Sequence, residues 1–185
     1  MKQIIRKAYY DYEKEEAWLN GMAAKGLLLT DYSWCRYAFE EGTPGAYIYR
    51  IELLEHAPTH AESRNYLEFL EESGIDIVAY YMRWVYLRKK AADGPFDLFS
   101  DAASRMRHYR RVNFLFSGAA IVEFLIALME LSIWLTALRT GNAHLGFAPL
   151  GAACLLAALG VLLLSIGRPM RKKLRKLKQE RSIFE

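Results

Sequence analysis

An α+β domain followed by a pair of transmembrane helices is the architecture this sequence predicts, and three observations predict it. Two apolar runs, residues 112–138 and 145–166, are each long enough to cross a bilayer, which takes about 20 apolar residues. Upstream of them, short β-branched and aromatic segments alternate with helical patterns punctuated by Asp and Gly. Charge divides at the same place. Residues 1–104 carry 12 Lys+Arg against 17 Asp+Glu, a net −5, whereas residues 105–185 carry 13 against 4, a net +9. The overall +4 and the pI near 9.0 therefore belong to the apolar half. They are no nucleic-acid footprint of the acidic half, and no nucleic-acid partner is expected.

Residues 2–10 read as a first strand. Asp11 then caps a helix that runs to about Lys25 and stops at Gly26, with Trp18, Leu19, Met22 and Ala23 at helical spacing. Residues 27–39 read as a second strand carrying Tyr32, Trp34, Tyr37 and Phe39, whose change of parity after Trp34 predicts a bulge or short break. A Gly/Pro turn at residues 41–45 leads to a third strand at 46–54, with Tyr47, Tyr49, Ile51 and Leu53 on one face. Thr59 and Glu62 match a capping box for a second helix that ends at Gly74, and residues 75–88 read as a fourth strand. The order β-α-β-β-α-β over residues 1–92 is that of a ferredoxin-like domain, a four-stranded antiparallel sheet with both helices on one face. No internal repeat is visible. Residues 93–111 read as a linker and a basic juxtamembrane helix that starts near Ser100 and runs into the first span.

No signal peptide is expected in residues 1–11, so the first span would act as an internal anchor. Arg105, Arg107, Arg110 and Arg111 precede the pair of spans, and Arg168, Arg171, Lys172, Lys173, Arg175, Lys176, Lys178 and Arg181 follow it. The connector 139–144 holds a single Arg. The positive-inside rule then places both termini in the cytoplasm and the connector outside, in a two-span protein of the cell membrane. Arg105, Arg107, Arg110, Arg111, Arg171, Lys172 and Lys173 are the expected contacts to lipid headgroups, with the tail at 169–185 lying on the membrane surface. Cys35 and Cys154 fall in different compartments, and no disulfide is expected.

Glu123 and Glu130 are the chemical anomaly, because charged groups inside hydrocarbon are costly. They share a stripe with Ala120, Ala127 and Trp134 whose 3-4-3-4 spacing suits a helix–helix contact. Small residues in the second span, such as Ala153 and Ala157, permit close approach within the hairpin or in a homo-oligomer. On the sheet, Tyr32, Trp34, Tyr47, Tyr49, Tyr80 and Trp84 are candidates for a surface that takes a protein partner or small ligand. Glu13, Glu15 and Glu16 read as a solvated helix face. His56 and His60, with Glu55 or Glu62, lack a further ligand spaced to close a metal site, so no metal is expected. Neither a phosphate-cradling loop nor a nucleophile elbow nor a paired-Cys motif is present, and no enzyme activity or cofactor is expected.

The run from Asp11 to Gly26 resembles the opening of a bacterial family of unknown function, as do residues 44–52, 82–86 and 94–101. The resemblance covers most of residues 8–110. It implies a domain placed before C-terminal hydrophobic segments, often encoded beside PadR-like transcription regulators, and hence a regulatory or stress-response membrane module. The expected protein partner is a regulator or transporter. It carries no functional residues. The expected function is a non-enzymatic sensory or adaptor module in which helix association around Glu123 governs the aromatic face. The alternative is an accessory subunit of a transporter, or a small oligomeric channel, that uses the intramembrane Glu.

Overall fold

The first unit, Met1–Ser104, uses one succession of elements, β-α-β-β, twice over. The computed structural model describes residues 2–99, 102–141 and 146–184. The first succession is β1 (Gln3–Arg6), α1 (Tyr12–Ala23), β2 (Leu27–Ser33) and β3 (Arg36–Glu41); the second is β4 (Tyr47–Leu53), α2 (Ala61–Glu72), β5 (Ile75–Tyr81) and β6 (Trp84–Lys90). The α+β class is as expected, but the single four-stranded sheet of a ferredoxin-like domain does not form. Six strands make two antiparallel sheets, in the orders β1-β3-β2 and β4-β6-β5. Residues 27–39 and 75–88, each read as one strand, double back as hairpins at Trp34-Cys35 and Met82-Arg83.

The duplication extends to detail. Both helices end at a left-handed glycine, Gly26 (φ 81°) and Gly74 (φ 78°), and both hairpins shift register at the same point, between Leu29 and Asp31 and between Ile77 and Ala79. Leu19 and Met22 of α1 correspond to Leu67 and Leu70 of α2, all four buried. Sequence identity between the halves is too sparse to show this. Gly26 has a second constraint: its carbonyl accepts from the Gly42 N–H at 2.8 Å, and a Cβ on Gly26 would lie 2.8 Å from the Gly42 oxygen.

Asp11 caps α1 as expected, its carboxylate accepting from the Glu13 N–H at 3.1 Å. The cap of α2 is His60 rather than Thr59; its Nδ1 accepts from the Glu62 N–H at 3.4 Å. One core cluster joins Leu19, Met22 and Ala23 of α1 to Leu29, Tyr37 and Phe39 of the first sheet and to Tyr49, Ile51, Ala79 and Tyr86 of the second. A second cluster holds α2 (Leu67, Leu70) on the other face of the second sheet through Val85 and Leu87. The second sheet is thus covered on both faces. Phe96 and Leu98, in the segment read as linker, belong to this second cluster.

The second unit, Arg105–Glu185, is helical. The continuous α3 (Ala102–Thr140) is followed by α4 (Ala148–Ile166) and α5 (Arg168–Phe184). The helix starts at Ala102 in the described chain, Ser100 lying outside the described residues, as do 142–145 of the connector and of the second apolar run. Two helices, Ala103–Thr140 and Ala148–Leu177, are long and apolar enough to cross a membrane. They approach through small residues: Ala120 and Ala127 of α3 and Ala153 and Gly160 of α4 are buried, and the Phe124 ring lies over Gly160.

Candidate functional site

Glu15 lies at the centre of the α+β unit. One carboxylate oxygen accepts hydrogen bonds from the Tyr37 hydroxyl at 2.7 Å and from the Tyr86 hydroxyl at 2.6 Å. Tyr37 stands on β3 and Tyr86 on β6, so this one oxygen links both sheets to α1. The Tyr32 ring packs at a tilt beside both, at centroid distances of 4.7 Å and 4.5 Å. Burial pushes the Glu15 carboxyl above its usual range, the two hydroxyls opposing the shift only in part. It pushes Tyr37 and Tyr86 upward as well. The reading of Glu15 as solvated is overturned. Its place one turn before Leu19 and two before Met22, on the buried stripe of α1, is the signal that marks it.

Glu16 is likewise engaged: its carboxylate accepts from the Ile51 N–H at 3.0 Å and pairs with Arg50 at 3.2 Å. Burial nevertheless raises its carboxyl, the Ile51 amide and Arg50 working against the shift.

The six aromatic candidates do not share one surface. Tyr49 is core, 1% exposed, its hydroxyl accepting from the Leu29 N–H at 3.0 Å. Tyr32 is half-buried in the network around Glu15. Tyr47 lies under the Arg88 guanidinium, 4.5 Å from its ring centroid, and Trp84 packs against Tyr12. These four are held inside because the second sheet covers the first, and no single-sheet reading anticipates that. Trp34 and Tyr80 are exposed, but Tyr80 alternates to the opposite face of β5 from Tyr81.

The exposed apolar patch lies instead at the hairpin tips, at Trp34 (73% exposed), Met82 (77% exposed) and Tyr81, whose ring is 5.9 Å from that of Trp34. Trp34 (φ 28°), Cys35 (φ 59°) and Met82 (φ 55°) all adopt the left-handed backbone that favours Gly or Asn. Such a conformation at a bulky residue costs about 1–3 kcal/mol.

On α3 the expected stripe exists: Ala120 and Ala127 are buried, and Glu123, Glu130 and Trp134 are half-buried beside them. The opposite side exposes Phe114, Ile121, Val122, Leu125 and Leu128. Of the basic residues, Arg107, Arg110 and Lys172 are exposed, and Arg105 and Arg111 are half-buried. The Arg171 guanidinium donates to Leu164 O at 2.6 Å and to Asn113 Oδ1 at 3.3 Å, and the Lys173 ammonium sits 5.7 Å from the Tyr109 ring centroid. The start of the basic tail is therefore a helix that touches α3 through Arg171 and Lys173. The side chains of Lys178 and Arg181 lie outside the described residues.

Fold and site together define a two-part chain: a duplicated α+β unit ahead of two helices long and apolar enough to span a membrane. The chain belongs to the family described as "Protein of unknown function (DUF2812)", whose model matches residues 11–121, more than half its length. That match runs from α1 into α3. No curated protein and no solved structure matches the chain.

Proposed function

We propose that this protein is a membrane-anchored, non-enzymatic regulatory or adaptor module whose α+β unit takes a protein partner at its two hairpin tips. The observation that carries the reading is the pair Trp34 and Met82. Both are large, apolar and exposed, and both occupy backbone conformations that a glycine or asparagine would adopt with less strain. A bulky residue kept at such a position is best explained by a contact made outside the fold. The apolar exterior of α3 and α4 calls for a hydrocarbon environment, and the positive-inside rule puts the tips in the cytoplasm. Anchoring concentrates the tips on partners in or near the same membrane. A change in packing around Glu123 would alter how the tips are presented.

The test is site-specific photocrosslinking from Trp34 and Met82 in native membranes, with Lys14 on α1 as control. Discrete protein adducts from both tips, absent from Lys14, with those from position 34 lost on Met82→Gly and those from position 82 lost on Trp34→Asn, support the reading. Adducts only to lipid, or the same adducts from all three positions, overturn it.

A second reading rests on Glu123 and Glu130, half-buried beside Ala120 and Ala127 in an otherwise apolar helix. In an oligomer they would line a wet path, as in an accessory transport subunit or small channel. Cation flux into liposomes that disappears with Glu123→Gln is its signature.

A further inference from the structure

The loop between β4 and α2 brings together three side chains with metal-binding atoms. His56, His60 and Glu62 each offer one ligand atom, and these atoms all lie within 4.8 Å of one another. The two imidazoles stack with centroids 4.2 Å apart, and His56 Nε2 lies 3.3 Å from a Glu62 carboxylate oxygen. We propose that His56, His60 and Glu62 form a binding site for a divalent cation of the zinc class, with an open fourth position. This inference is independent of the adaptor reading, because the site is built from neither hairpin tip.

The backbone beneath the three ligands is fixed. The buried Ser63 hydroxyl donates to the His56 carbonyl at 3.2 Å, and the His60 N–H donates to the Ala57 carbonyl at 2.9 Å. Pro58 stiffens the four-residue path from His56 to His60. His60 and Glu62 are set by the first turn of α2. Only side-chain rotation separates this arrangement from a coordination shell: zinc–ligand bonds of about 2.0–2.2 Å place neighbouring donors of a tetrahedron about 3.4 Å apart.

The donor set decides the class of ion. Two imidazoles and one carboxylate suit zinc, nickel or copper, whereas magnesium and calcium take all-oxygen shells. A helix N-terminus alone disfavours a cation, but the Glu62 carboxylate in the first turn supplies the opposing charge. His60 would give up a long helix-capping contact of 3.4 Å when its Nδ1 turns to the ion. Without an ion the same side chains make a His56–Glu62 ion pair beside the His60 helix cap, and the titration below separates that arrangement from a metal site.

The test uses the full chain in detergent micelles, stripped by chelator and titrated with Zn2+ by calorimetry and with Co2+ by visible absorption. Expected are one site per chain, a tetrahedral cobalt band without thiolate-to-metal charge transfer, and a Zn2+-dependent rise in the unfolding midpoint. Affinity falls about tenfold or more in His56→Ala and Glu62→Gln. The same loss in His60→Asn is decisive, since Asn preserves the helix cap and hence the fold. Binding weaker than millimolar, or unchanged in His60→Asn and His56→Ala, overturns the proposal.

Discussion

The side-chain amide of Asn20 pairs with the peptide of Tyr49 as a neighbouring strand would: its Oδ1 accepts from the Tyr49 N–H at 2.8 Å, and its Nδ2 donates to the Tyr49 carbonyl at 3.0 Å. Two residues along β4, the Glu16 carboxylate takes the Ile51 N–H. β4 is an edge strand of its sheet, and its outward amides would otherwise be open to another chain. One face of α1 therefore closes that edge with side chains, which also ties the first β-α-β-β succession to the second.

Removing this closure should be costly. Asn20→Ala deletes both bonds and leaves the partly buried Tyr49 amide without its acceptor, a loss of about 2–3 kcal/mol. Denaturant unfolding of the full chain in detergent, followed by tryptophan fluorescence, reads the change. A loss below about 0.5 kcal/mol would show that the edge does not depend on Asn20.

Glu15 predicts a pH dependence with a definite sign. Its folded-state carboxyl lies above the ordinary value of 4.5, so the fold holds the proton more tightly than the unfolded chain does. The stability this contributes is present at low pH and is lost as pH rises through the folded value. Glu15→Gln keeps an oxygen for Tyr37 and Tyr86 but cannot ionise. The variant should gain on the native chain as pH rises above the ordinary carboxyl value of 4.5, by unfolding midpoint, and the gain should shrink on acidification. A gap independent of pH would mean that the Glu15 carboxyl is not raised by the fold.

The α+β class, both apolar helices, the Asp11 cap and the glycine stops of α1 and α2 were legible from periodicity and capping chemistry. The first hairpin showed only as the break expected after Trp34 and the second not at all, because Trp34-Cys35 and Met82-Arg83 carry none of the Asn or Gly that announces a two-residue turn. With both turns hidden, six strands read as four, and the duplication disappeared with them. The aromatic surface then went astray for the same reason. Alternation shows that Tyr49 and Trp84 share a parity with other aromatics, but it cannot show that a second sheet will cover that face. His60 was missed as a cap because imidazole seldom serves as one, while Thr59 beside it fits the usual pattern.

The tips themselves yield a stability test. At φ 55° the Met82 side chain strains the backbone and is mostly exposed, so Met82→Gly should relieve strain while removing little packing. Unfolding should shift by about 0.5–1 kcal/mol toward greater stability, and crosslinking from position 34 should fall in the same variant. A gain in stability that comes with a loss of contact is the mark of a residue kept for binding. If Met82→Gly destabilises the fold, the side chain serves packing and the strain argument fails.

Within the helical unit, Gly160 tests whether α3 and α4 pack as described. A Cβ there would lie 3.0–3.1 Å from three carbons of the Phe124 ring, tighter than ordinary contact but against a side chain that can move. Gly160→Ala should therefore be tolerated, with a loss below about 1 kcal/mol. Gly160→Leu has no such relief: the ring cannot yield a whole side chain's volume while Ala120 and Ala127 hold the helices close. It should separate the pair and lower the thermal midpoint in detergent by the equivalent of about 2 kcal/mol. Equal midpoints for the Ala and Leu variants would place Gly160 away from the α3–α4 contact.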